Sequence, residues 1–197
     1  METNVCRFSI DVEAGGDNPH DRALLEIGIS VVGDEEKCLE VLFKPDPLSY
    51  DRHALLAIRR PIQEFIDRGV PLVLGINQLL DWVDATSSGR RVEFVGLNMP
   101  YDWMFFKICV AKVDAVHTLP HKAYDIASYG AGVFGLSLSS TGDARLRELL
   151  VTHAPDLVEK HLLYKDKERR HTGLDDAKYQ GRLLLALEDY AIRVTAR

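Results

Sequence analysis

Apolar residues gather in short strand-like runs early in the chain and recur at helical spacing later, and the change falls near Pro61. The segments VCRFSIDV (5–12), LLEIGISVV (24–32) and CLEVLFK (38–44) are rich in Ile, Val and Phe. Polar connectors, EAGGDNPHDRA and GDEEK, separate them, and the second is short enough for a hairpin, which predicts an antiparallel meander. PIQEFIDRG then places Pro61 at a first helical position and Gly69 at a C-cap, and NQLLDWVDATSSG puts Leu79, Leu80 and Val83 on one side of a second helix. RRVEFVGLN (90–98) returns to strand, and PYDWMFFKICVAKV follows as a helix opened by Pro100. KAYDIAS (122–128) reads as a short strand or extended segment. GDARLRELLVTHA and DDAKYQGRLLLALEDYAIRV read as amphipathic helices, the last one long. A meander that gives way to strands alternating with helices predicts an α/β fold: a mixed five-stranded sheet, its first three strands antiparallel, with helices on both faces. No repeat or linker divides the chain, so residues 1–197 are expected to form one domain.

Composition narrows the class. Apolar residues make up 46% and charged residues 27%, the balance of a globular protein with a sizeable core. No apolar run approaches the length needed to span a bilayer, and METNVCRFSIDVE lacks the basic start of a signal peptide, so the expected location is the cytoplasm. Cys6, Cys38 and Cys109 have no metal-ligand spacing and read as small core residues in a reducing compartment. The formal charge of -6 argues against non-specific coating of nucleic acid, which needs many basic contacts. It leaves room for an enzyme that grips one strand end through bound cations.

The chemistry begins at the end of the first strand. Asp11 and Glu13 flank Val12, so their side chains share one face with stems about 7 Å apart. At an effective dielectric of about 20 they repel by roughly 2 kcal/mol. The pair is either two solvated carboxylates on an edge strand or half of a site whose cations turn repulsion into attraction. In NMPYD, Asp102 falls in the first turn of a helix, where an anion is favoured whether it caps the helix or binds a ligand. In RRHTGLDDAKYQG, His171 precedes the long terminal helix and Asp175 and Asp176 lie in its first turn.

In this order the residues resemble the DnaQ-like 3'-5' exonucleases of the DEDDh subgroup, members of the RNase H-like superfamily that include the proofreading subunit of bacterial replicative polymerase, ribonuclease T and oligoribonuclease. SIDVEAGG with LLEIG is similar to the first family motif, FVGLNMPYD to the second and HTGLDDA to the third, and the likeness spans roughly residues 5–190. The resemblance implies metal ligation by Asp11, Glu13, Asp102 and Asp176, the last chosen over Asp175 by the motif, and general-base duty for His171. It implies two Mg²⁺ or Mn²⁺ ions, a single-stranded 3' end of DNA or RNA as substrate, and release of nucleoside 5'-monophosphates. It also implies that the backbone at Ala14 and Gly15 meets the terminal nucleotide and that Asn98 lines the site. Four carboxylates suit a hard, oxygen-seeking cation, and histidine is the side chain able to take a proton near neutrality. Gly173 stands where the third motif has Ala, Leu97 where a polar residue often precedes the Asn, and AGGDNPHD is a variant loop.

Other residues read more plainly. The basic run KDKERRH is a solvated face or a phosphate-contacting flap, with Arg169 and Arg170 the candidates in the second case. Tyr101 is balanced between core and substrate contact, whereas Trp82, Trp103 and Phe105 read as core and Glu26 as a paired strand residue. Relatives occur free, as dimers and as polymerase subunits, so a homodimer or membership of a larger nucleic-acid-processing complex fits the resemblance, and no membrane partner is expected. The competing classes are a non-catalytic nucleic-acid or protein-binding module with this fold and a hydrolase restricted to very short oligonucleotides.

Overall fold

The computed structural model describes residues 4–45, 50–58, 60–114, 119–162 and 172–196. Strands β1 (Val5–Ala14), β2 (Leu24–Val31), β3 (Asp34–Leu42), β4 (Arg91–Gly96) and β5 (Tyr124–Asp125) form one sheet in the order β3-β2-β1-β4-β5. The first three are antiparallel neighbours, and β4 and β5 run parallel to β1. The helices are α1 (Arg52–Ala57), α2 (Ile62–Arg68), α3 (Leu72–Ser87), α4 (Met99–Lys112), α5 (Ile126–Phe134), α6 (Asp143–His153), α7 (Pro155–His161) and α8 (Gly173–Thr195). The mixed α/β sheet expected from the pattern is therefore present, with the central position held by β1.

Boundaries moved for local reasons. The third strand begins at Asp34, not near Cys38, because Gly33 turns the chain with φ 88° immediately after β2 and Asp34 already pairs with Val31, across a register shift that precedes the Cys38–Ser30 pair. The fourth strand stops at Gly96 and its helix starts at Met99, since Asn98 takes a left-handed φ of 58°, a conformation that Asn tolerates better than most residues. Pro61 is the N-cap of α2 and not its first residue, and α3 starts at Leu72, well before NQLL. Helices α1 and α7 were not expected. KAYDIAS contributes two strand residues and then enters α5. Cys6 and Cys109 are core residues, but Cys38 is only partly covered, because β3 is the edge strand on that side.

Alternation along β1 divides it between two cores. Cys6, Phe8, Ile10, Val12 and Ala14 pack with Ile76, Leu79, Leu80 and Val83 of α3 and with Phe105, Phe106 and Cys109 of α4. On the other face, Ser9, Asp11 and Glu13 lie opposite Ser30, Gly28 and Glu26 of β2. That face carries small or polar side chains, so α8 settles directly onto the backbone. A Cβ at Gly28 would lie 2.0 Å from the carbonyl carbon of Gly173, and one at Gly181 would lie 3.6 Å from Ser9 Cβ. Farther along α8, Leu183, Leu184 and Leu187 bury against Leu146, Leu150 and Val158. Gly28→Ala must lift the first turn of α8 off the sheet. Overpacking of this kind costs about 1–3 kcal/mol, so a thermal melt should show a clear fall in Tm, and an unchanged Tm would contradict the close approach. Among the described residues no helix is long and apolar enough to cross a membrane.

Candidate functional site

Three carboxylates converge where α8 crosses the end of β1. Asp11, Glu13 and Asp176 each offer an oxygen, all within 4.8 Å of one another. Strand periodicity places the first two, and the N-terminal turn of α8 delivers the third. Thr172 caps that turn by accepting from Asp175 N–H at 3.2 Å, and the backbone bond from Asp176 N–H to Thr172 carbonyl begins the helix at 2.9 Å. The cluster is a donor set for a hard cation, oxygen-only and anionic.

Asp102 lies beside this trio in the first turn of α4 and is 5% exposed. Its Oδ1 accepts Val12 N–H at 2.8 Å, so it reaches across from its own helix to β1. The role of helix cap falls instead to Asp125, whose Oδ1 accepts from Met99 N–H at 3.1 Å and whose Oδ2 accepts from Ser128 N–H at 2.8 Å. One carboxylate thus serves the N-termini of both α4 and α5.

Electrostatics set the character of the site. Burial, then the charges of Asp102, Asp176 and Glu13, hold the Asp11 carboxyl well above the usual carboxylate range, against a lowering hydrogen bond from Gln180. Burial, then Glu26, Asp176 and Asp102, push Glu13 to about 8, with Arg60 opposing. Burial lifts Asp102 to about 7, against its bond from Val12 N–H. Without a cation, protons are what such a cluster takes up to limit its repulsion.

Two polar residues outside the expected ligand set support the cluster: Gln180, which the sequence reading did not single out, and Glu26, which it gave as a paired strand residue. Gln180 Nε2 donates to Asp11 Oδ1 at 2.6 Å, and its Oε1 accepts from Leu97 N–H at 2.8 Å. Since a backbone N–H can only donate, it fixes which end of the amide faces Asp11, leaving the second Asp11 oxygen for other partners. The available signal was its position four residues after Asp176, on the same helix face. Glu26 is the second: it is fully buried, and its Oε1 faces Leu174 N–H at 3.4 Å. At Gly173, where the third motif has Ala, a Cβ would be in tight contact with Glu26 Oε1 at 3.1 Å and Gly28 N at 3.2 Å.

The expected substrate residues fall in different places. Ala14 is buried at a register shift that follows Glu13. Gly15 has both backbone groups engaged, its N–H with Ala23 carbonyl and its carbonyl with Asp51 N–H, each at 2.8 Å. Asn98 is exposed between β4 and α4. Tyr101 packs on Phe105 with ring centroids 5.0 Å apart and donates its hydroxyl to Gly16 carbonyl at 3.2 Å, tying α4 to the loop after β1. Burial, then the Asp17 and Asp102 charges, raise its hydroxyl to about 12. Arg169, Arg170 and His171 lie outside the described residues. Two cavities of about 610 and 630 Å³ share Arg7, Glu93, Tyr129 and Glu188, and neither includes any of the four acidic residues.

Solved structures share this architecture. The nuclease domain of 3'hExo, a DEDDh family member bound to rAMP, superposes with a TM-score of 0.69 at 18% identity, covering 94% of this chain and 92% of that one. A 3'-exonuclease in a structure of 3'-end specific recognition of histone mRNA stem-loop gives 0.65 at 15% identity, covering 94% and 63%. Exonuclease I of E. coli in complex with a dA16 oligonucleotide gives 0.63 at 12% identity over 96% of this chain, which spans only 42% of that enzyme. No protein-family model matches the sequence, and no curated protein matches it. At these identities the likeness is one of fold: the chain has the RNase H-like fold found in DEDDh exonucleases.

Proposed function

We propose that the protein is a metal-dependent 3'-5' exonuclease of the DnaQ-like DEDDh type, hydrolysing the terminal phosphodiester of single-stranded DNA or RNA. The observation that carries this reading is the convergence of Asp11, Glu13 and Asp176, with Asp102 adjacent, on a fold shared with such enzymes. A pure binding module gains nothing from clustered carboxylates that repel phosphate. These four residues would hold one or two Mg²⁺ or Mn²⁺ ions, which when bound would neutralise phosphate charge and acidify water. His171, just ahead of the Thr172 cap, would take the proton of the attacking water. Gln180 keeps Asp11 oriented, and Tyr101 holds the loop after β1 through Gly16. Ala14, Gly15 and Asn98 would line the place of the terminal nucleotide, and Arg169 and Arg170 would contact phosphates.

The test is a labelled panel of single- and double-stranded DNA and RNA, from dinucleotides to long oligomers, in Mg²⁺, Mn²⁺ or EDTA. Stepwise release of nucleoside monophosphate from the 3' end is expected with metal and none in EDTA. His171→Ala should keep Mn²⁺ binding while lowering the rate by about 10²–10⁴-fold, the range for general-base catalysis. Absence of release from every substrate would refute the activity, and loss of metal binding in the His171 variant would make that residue a ligand.

A further inference from the structure

The third carboxylate of the cluster belongs to a helix that must be held against β2, and the residues that hold it form a chain of contacts leading away from the site. Glu26 stands opposite Glu13 across the β1–β2 pair. One of its oxygens faces Leu174 N–H, two residues before Asp176, and the other lies 3.0 Å from Arg60 Nε. The remaining guanidinium nitrogens of Arg60 bind Glu64 of α2 at 2.7 Å and Glu40 of β3 at 2.5 Å. Arg60 is itself largely covered, with 14% of its side chain exposed. Three nitrogens thus meet three carboxylates on three elements, a geometry open to a planar guanidinium and closed to a lysine.

We propose that Glu26 and Arg60 are positioning residues for the metal site, fixing the first turn of α8 and therefore Asp176 against Asp11 and Glu13. This rests on the metal-site reading above. The role needs a carboxylate, because Glu26 faces Leu174 N–H with one oxygen and sets its negative charge against the Arg60 guanidinium with the other. A glutamine there has one acceptor oxygen, so either Arg60 or Leu174 would face an NH₂ group, with no change in side-chain volume. The contacts act in series, from α2 and β3 through Arg60 and Glu26 to α8. Breaking either link should therefore have the same consequence at Asp176.

Mn²⁺ affinity, amide exchange along α8 and Tm are to be measured for wild type, Glu26→Gln, Arg60→Met and the double variant. Glu26→Gln should weaken Mn²⁺ binding by about tenfold, the lower end of the range for outer-shell partners. It should also speed exchange in the first turn of α8 while leaving the turns around Leu183 and Leu187 unchanged. Arg60→Met should do likewise, and the double variant should be no worse than the more affected single one, as expected for links in series. Unchanged Mn²⁺ affinity and exchange in Glu26→Gln would overturn the proposal even if Arg60→Met failed to fold, as would a lower Tm with neither site readout altered. Absence of Mn²⁺ binding by wild type would overturn the metal-site reading instead, and the exchange comparison would still decide whether Glu26 and Arg60 hold the helix.

Discussion

Asp11→Asn should make the metal-free protein more stable and at the same time abolish its Mn²⁺ binding and any hydrolytic activity. Asp11 faces Asp102, Asp176 and Glu13, and burial already disfavours its charge. Two unit charges about 5 Å apart repel by roughly 3 kcal/mol at an effective dielectric of about 20. Protons taken up by the cluster limit how much of that is relieved, so a gain of about 1–3 kcal/mol is expected, which raises Tm by several degrees. Asparagine retains a carbonyl oxygen to accept from Gln180 Nε2, so the support beneath the site is preserved. Stability and function therefore move in opposite directions, the signature of a site that stores repulsion for a ligand. Differential scanning calorimetry in EDTA, paired with Mn²⁺ titration, checks both halves. A destabilised Asn variant, or one that still binds Mn²⁺ with wild-type affinity, would remove Asp11 from the centre of the cluster. Asp102→Ala is expected to abolish activity as well, but with a loss of stability, because it orphans the buried Val12 N–H.

The second large effect is on pH dependence. Glu13 is raised to about 8 and Asp102 to about 7 in the folded protein, against unfolded values of about 4.3 and 3.9. Between those limits the native state holds protons that the unfolded state has released. Stability of the metal-free protein should therefore fall as pH rises from about 4 and level off above about 8. Metal reverses the trend, because it binds the deprotonated carboxylates and displaces the same protons. At a free concentration of a hundred times Kd it adds about 2.7 kcal/mol to the native state. Melting curves near pH 5.5 and 8.5, with EDTA or Mn²⁺, should thus show the largest metal-induced rise in Tm at the higher pH. A stabilisation that is equal at both values would mean that these carboxylates do not share a site with the metal.

How much of this was legible beforehand differs from residue to residue. The common face of Asp11 and Glu13 follows from the period of two in a strand, a local rule. The placement of Asp176 in a helical first turn follows from the amphipathic run that begins there, equally local. Asp102 illustrates the limit: its place in the first turn of α4 was readable, yet helix capping and ligation were the alternatives, and the bond it makes is to Val12 N–H of a distant strand. Glu26 was legible as a paired strand residue, but its partners Arg60 and Leu174 were not. Their meeting depends on β2, β3 and α2 being brought together.

By itself, the sequence determined the meander followed by alternating strands and helices, the shared face of the first two carboxylates, and the order of the acidic motifs that resemble a nuclease family. Each of these depends on residues within a few positions of one another. Only the tertiary structure decided that β1 is central, so that the pair lies under α8 and not on a solvated edge, and that Gly28 and Gly173 let the helix approach closely enough to bring Asp176 within reach. It also decided that Gln180, 169 residues away, orients Asp11. Such contacts are set by packing between elements, where a missing Cβ or a single buried amide fixes distances that no local spacing encodes.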